Sequence, residues 1–141
     1  MTSTSIRFRI DFDRACSIGF GKIALLEGIA RTGSLSQAAR ELDMSYRRAW
    51  LLLDSMNSGF DTPVVTTMAG GSGGGGAQLT EFGRELIAAF RELQPRLQSL
   101  AEQSMRPFAS HLIGQRPKSA ATGRKQQRQS LARSTRSASS K

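Results

Sequence analysis

The 141-residue sequence predicts a mainly α fold with a small β-hairpin, and three observations carry that prediction. Apolar residues recur at helical spacing in separate stretches between Lys22 and Glu102. Short apolar segments, Val64-Val65 and Ala77–Leu79, flank a glycine run that cannot hold regular structure, because ordering glycine costs the most backbone entropy. The stretch Ser34–Ser58 reads as two short helices joined by a tight turn, with polar and cationic residues at the front of the second and leucines behind. Together these make a winged helix-turn-helix with a long C-terminal dimerisation helix. Residues 1–104 form this unit, with the dimerisation helix at about 80–102. Residues 105–141 form a basic tail, disordered by composition.

Each element has its own warrant. Ser5–Phe12 alternates Ile6, Phe8, Ile10 and Phe12 with Arg7, Arg9 and Asp11, the period of a half-buried strand. Ala15–Gly21 reads as a turn region. Lys22–Arg31 carries a core-facing stripe of Ile23, Leu26 and Ile29-Ala30, and Gly33 suits the left-handed position that closes a helix. Ser34 and Gln37 are spaced as a capping box for the next helix, whose Ala38, Ala39 and Leu42 turn inward. Asp43-Met44 makes the turn. Ser45 caps the third helix, with Ala49, Leu52, Leu53 and Met56 on its buried face, and Gly59 stops it. Thr80 caps the fourth, and Glu81 suits its positive N-terminus. Phe82, Leu86, Phe90, Leu93, Leu97 and Leu100 then form a heptad-like seam that predicts a homodimer. Pro95 predicts a kink or break near Arg91–Pro95, because it removes a helical hydrogen bond and crowds the turn before it.

Charge narrows the function. The net charge is +9. Residues 1–102 hold 11 Lys and Arg against 11 Asp and Glu, so the excess lies entirely in the nine cations from Arg106 to Lys141. Contact of the body with nucleic acid must therefore come from a local patch. The tail reads as a phosphate-seeking arm, with a merely solubilising terminus as the competing reading. One cysteine, Cys16, and one histidine, His111, make neither a disulfide nor a metal site, and no nucleophile, base and acid assemble into catalytic machinery. No enzyme activity, cofactor or metal is expected. The N-terminus lacks the apolar core of a secretory signal, and no apolar run approaches the roughly 18 residues of a membrane span. A cytoplasmic protein, nucleoid-associated when bound, is the expectation. The Gly71–Gly76 run satisfies a dinucleotide fingerprint only because it is all but continuous glycine. It has neither a βαβ setting nor the Gly-Lys-Ser/Thr ending of a P-loop.

The run Met44-Ser45-Tyr46-Arg47-Arg48-Ala49-Trp50 is more distinctive. With Ile6–Phe12, Gly21–Ser36, the glycine-rich wing and Leu79-Thr80-x-x-Gly83, it resembles the DNA-binding domain of the ModE-type molybdate-responsive regulators, a winged-helix family akin to the LysR type. The resemblance covers roughly residues 5–100. It implies a dimer on double-stranded DNA with two recognition helices in successive major grooves. The candidate contacts are Ser34, Ser36, Ser45, Tyr46, Arg47, Arg48 and Trp50, supported by Gly73 and Gly74 of the wing. Full-length members carry molybdate-binding domains after the dimerisation helix. A short basic tail stands there in this chain, so molybdate is not expected to bind it directly. The alternatives are a dimerising adaptor, half of a split regulator whose oxyanion sensor is a separate chain, or a non-specific nucleoid protein.

Overall fold

A computed structural model describes residues 3–68 and 76–115. Ser5–Leu100 form one compact unit, and the described residues 3–4 and 101–115 belong to a second. The elements run β1 (Arg9–Phe12), β2 (Cys16–Gly19), α1 (Phe20–Thr32), α2 (Leu35–Glu41), α3 (Tyr46–Gly59), β3 (Val65–Thr67), β4 (Ala77–Leu79) and α4 (Glu81–Ala109), followed by a short 3-10 helix over Ile113–Gln115. Helices with a small two-stranded wing are what the sequence predicts.

The first departure is at the N-terminus. Only Arg9–Phe12 of the alternating segment is strand, and it pairs antiparallel with Cys16–Gly19, which the sequence reads as a turn. Asp13, at φ 53°, takes the left-handed turn position between them. Cys16 and Ile18 point into the core, a pattern too short to register as alternation. Phe8 leaves the sheet and enters an aromatic cluster, 5.1 Å from the Phe20 ring and stacked 4.7 Å from that of Phe90. Phe12 stays 43% exposed, edge-on to Phe60.

The core lies among α1, α2, α3 and the two hairpins. Ile23, Leu25, Leu26 and Ile29 of α1 are buried, whereas Ala30 is exposed. Gly33 closes α1 at φ 67°, its N–H donating to the Ile29 carbonyl at 2.8 Å. Small residues bring α1 onto α2: a Cβ on Gly28 would lie 3.0 Å from that of Ala38. Gly59 is not a left-handed stop. It is the last helical residue of α3, and the cap is the extended Phe60. Its missing Cβ is needed elsewhere, since one would stand 2.5 Å from the Cys16 Cβ. Two polar links hold α3 at the back. Lys22 Nζ donates to the Ser17 carbonyl at 2.6 Å and to Ser55 Oγ at 3.0 Å. Asn57 donates to the Val65 carbonyl at 3.1 Å and accepts the Val64 N–H at 2.8 Å, which ties α3 to the wing.

The wing pairs Val65 with Leu79 and Thr67 with Ala77. Ala77 N–H donates to the Gly33 carbonyl at 3.0 Å, so the wing root rests on the turn between α1 and α2. Thr80 Oγ1 accepts the Gly83 N–H at 3.0 Å and donates to the Pro63 carbonyl at 2.7 Å, which caps α4 and anchors it to β3's approach.

The fourth helix departs most from expectation. It has no break at Pro95 and runs to Ala109, so residues 105–109 are helix rather than tail, as is the short 3-10 turn after them. Pro95 lies on the exposed side, where the carbonyl it leaves without an N–H partner can meet water. The first half of the expected seam is used within the chain. Phe82 packs edge-on against Phe60, Leu86 against the core, and Phe90 is 3% exposed beneath Phe8 and Phe20. Phe90 is thus a core residue rather than a seam residue. Leu93 and Leu97 are half-buried, and Leu100 is 60% exposed. Residues 116–141 lie outside the described residues.

A bidentate ion pair joins α4 to α1. Arg91 Nε and Nη2 donate to Glu27 at 3.0 and 2.5 Å, and Nη1 donates to Gln94. The hydrogen bond from Arg91 holds the Glu27 carboxyl below its ordinary value against the opposing effect of burial, with the charges of Arg91 and Arg31 assisting. Because the folded value is the lower one, the unfolded chain binds the proton first as pH falls. The contribution, about 1 kcal/mol for a partly exposed charged pair, is present above about pH 5 and lost on acidification. Urea unfolding between pH 6 and 3 should show a slope that Glu27→Gln flattens. An identical slope in the variant would show that the pair contributes nothing.

Two glycines should respond oppositely to alanine. At Gly83 a Cβ would collide with the Val64 carbonyl oxygen and Leu79, so Gly83→Ala should cost about 1–3 kcal/mol by overpacking. At Gly21, in the first turn of α1, a Cβ meets nothing within 4 Å, and Gly21→Ala should gain about 0.5 kcal/mol. Urea midpoints of the two variants check both signs.

Candidate nucleic-acid interface

The interface is built from the start of α3. Chain reversal after α2 requires one left-handed residue, and Asp43 supplies it at φ 51°, a conformation that short polar side chains tolerate. Met44 N–H then donates to the Ala39 carbonyl at 3.0 Å. Ser45 is extended, and its hydroxyl accepts the Arg48 N–H at 3.1 Å, so the predicted cap is in place. Ser34 caps α2 in the same way, accepting the Gln37 N–H at 3.3 Å. The return half of that capping box is absent. Ser34 N–H goes to Thr32 Oγ1 instead, and Ser34 Oγ lies 3.0 Å from Ser36 Oγ.

Helical spacing then distributes the side chains of α3. Ala49, Leu53 and Met56 are buried and Leu52 half-buried, as the pattern predicts. Arg47 and Leu51 face away from this core, with Asp54 one turn further on. Tyr46 and Trp50 occupy one flank, 58% and 49% exposed. Arg48 lies toward the opposite flank, above Ser55. With Ser34, Ser36, Thr67 and Met68, the Tyr46–Trp50 flank lines a cleft of about 310 Å³ between α2, α3 and the wing root. Thus Ser34, Ser36, Tyr46 and Trp50 come together at the cleft, Ser45 and Arg47 adjoin them on α3, and Arg48 is on the far flank of the helix. Gly73 and Gly74 lie outside the described residues. Thr67 and Met68 are additions to the predicted set. Their only signal in the sequence is adjacency to the glycine run.

Among the described residues, three of the body's arginines are neutralised by acids, and those at the start of α3 are not. Arg9 pairs with Asp11, Arg31 with Glu41 and Arg91 with Glu27. Arg47 and Arg48 are exposed and make no ion pair among the described residues. Two hydrogen-bonding cations at the start of a helix can meet phosphate or the O6 and N7 acceptors of guanine. The cleft wall carries no cation, and the pocket at the β1–β2 turn sets Arg9 and Arg14 among Asp11 and Asp13.

Residues 20–84 match the family described as bacterial regulatory helix-turn-helix protein, lysR family. The molybdenum transport protein ModE of Azotobacter vinelandii is 39% identical over 105 residues, 73% of this chain and 39% of that protein. The molybdenum-pterin-binding protein MopB of Rhodobacter capsulatus is 48% identical over 77 residues, covering 55% of this chain and 28% of that protein. The DNA-binding transcriptional dual regulator ModE of Escherichia coli (strain K12) is 42% identical over 69 residues, covering 49% and 26%. The chain therefore spans only about a quarter to two fifths of the length of these relatives. Over residues 20–84 it carries a LysR-type helix-turn-helix domain of ModE-like sequence.

Proposed function

We propose that this chain is a dimeric, sequence-specific DNA-binding regulator of transcription for genes linked to molybdenum. The observation that carries the reading is the pair of unpaired arginines, Arg47 and Arg48, at the capped start of α3 in a lysR-family domain. A helix of this kind fits a major groove about 12 Å wide, where arginine can bond guanine through two N–H groups. Ser45 and Tyr46 hydrogen-bond phosphate or a base edge, and Trp50 lies further into the groove. Ser34 and Ser36 at the start of α2 meet the backbone, and the wing with Gly73 and Gly74 offers amide N–H groups to phosphate. A second copy pairs along Leu93, Leu97 and Leu100, beyond the part of α4 that the core already uses. Two copies present two α3 helices to half-sites roughly 34 Å apart.

Occupying such an operator blocks or recruits polymerase in the cytoplasm, on the nucleoid. No helix among the described residues is long and apolar enough to cross a membrane. Molybdenum enters the proposal through the genes controlled, as the relatives' names suggest, and no step is assigned to an ion bound by this chain. The nine cations of residues 103–141 supply sequence-independent attraction.

Site selection from a random duplex pool, followed by titration at several salt concentrations, tests this reading. A consensus with two half-sites is expected, with log K falling by about 0.9 per neutralised phosphate as log salt rises. Arg47→Ala and Arg48→Ala should each cost about 1–3 kcal/mol on the consensus and little on random duplex. Discrimination unchanged in both variants would remove the recognition role from α3. Equal affinity of the unaltered protein for every duplex would instead favour a nucleoid-packaging role resting on the basic residues beyond Ser104.

A further inference from the structure

The exposed apolar surface on α3 is not explained by phosphate or guanine contacts. Tyr46 is 58%, Trp50 49% and Leu51 51% exposed, although the same helix buries Leu53 and Met56 completely or nearly so. The Trp50 indole makes no hydrogen bond among the described residues, and the wall of its cleft contains no charged side chain. Arg47, three residues before it on the same helix, stands beside it, so the surroundings favour a polyanion as the occupant. Asp54, one turn beyond Trp50, bounds the interface at its far end. In the major groove of DNA the one apolar group is the C5-methyl of thymine. An indole half-exposed beside Arg47 has that methyl as its matching surface.

We infer that Trp50 is a specificity-determining residue that reads a thymine methyl, with Tyr46 flanking the contact on the side of the cleft. The inference rests on the DNA-reading function proposed above and adds a base identity to it. Trp50 and Arg47 are three residues apart, about 4.5 Å along the helix axis at 1.5 Å per residue. One base-pair step is about 3.4 Å. The thymine therefore lies one or two steps from the base read by Arg47. The methyl contact should be worth about three- to fivefold in affinity, the burial of one CH₂-sized group.

The test replaces thymine by deoxyuridine, which removes the methyl and leaves every hydrogen-bonding group. The full chain is titrated on its selected consensus, with each thymine of a half-site substituted in turn at fixed salt. One or two positions should lose about three- to fivefold for the unaltered protein. At those positions Trp50→Ala should bind the thymine and deoxyuridine duplexes equally, while Trp50→Phe retains part of the difference. Because Trp50 is half-exposed, circular dichroism of both variants should match the parent. A consensus without any deoxyuridine penalty overturns the methyl contact and leaves DNA reading standing. A penalty that survives in Trp50→Ala assigns the methyl to another residue and equally overturns the inference. Failure to select any consensus overturns the proposed function itself.

Discussion

Burial of one face of α3 is the constraint on which the rest of the structure depends. Ala49, Leu53 and Met56 go into the core, and their burial decides which way Arg47, Trp50 and Leu51 point. Apolar contact alone leaves a helix free to slide or roll by a fraction of a turn. Directional bonds remove that freedom here. Lys22 reaches Ser55 from α1 on one side, and Asn57 holds β3 on the other. The absent side chain of Gly59 lets the end of the helix sit against Cys16. The wing is placed by the same means, with Asn57 at one strand and the Gly33 carbonyl at the other. The front of α3 and the wing root are therefore held as one surface.

Charge pairing completes what packing begins. The first 102 residues balance, so a field strong enough to attract DNA cannot come from the body as a whole. The acids are used locally: Glu41 takes Arg31, Glu27 takes Arg91, and Asp11 takes Arg9. Exposed pairs of this kind add little stability. Among the described residues they cancel three cations away from α3 and leave Arg47 and Arg48 uncancelled, as they leave Arg7, Arg14, Arg40 and Arg84. In the proposed function these two arginines give a neutral domain a local positive site, and the cations of residues 103–141 would act on any phosphate without regard to sequence.

Local chemistry was legible in the sequence, and long-range chemistry was not. Ser34, Ser45 and Thr80 announce helix starts because a cap acts within three residues. Gly33 announces a helix end for the same reason. The buried face of α3 is legible because four apolar positions repeat at one spacing. The strand at Cys16–Gly19 is hidden by its length and two glycine neighbours, since four residues carry too little alternation. Gly59 and Gly83 look like stops or spacers until the partner that needs their missing Cβ is known, and that partner is far away in the chain. The same holds for Glu27 and Arg91, separated by 64 residues. Pro95 misleads in the other direction. Its cost depends on which side of the helix it faces, and sequence alone does not show that the freed carbonyl can reach water.

The double use of α4 follows from its apolar stripe. A single seam from Phe82 to Leu100 suggests one purpose, yet its first half is spent within the chain. Phe90 closes the aromatic cluster with Phe8 and Phe20, and Arg91, one residue on, clamps the helix to α1. The stripe continues through Leu93 and Leu97 to Leu100, where exposure rises. In the proposed dimer a partner meets this second half immediately beyond the clamp. Its orientation would then pass through Glu27 and Phe20 to α1, and from α1 through Lys22 to α3. In such a dimer the separation of the two α3 helices would be set by this path of packed and paired side chains.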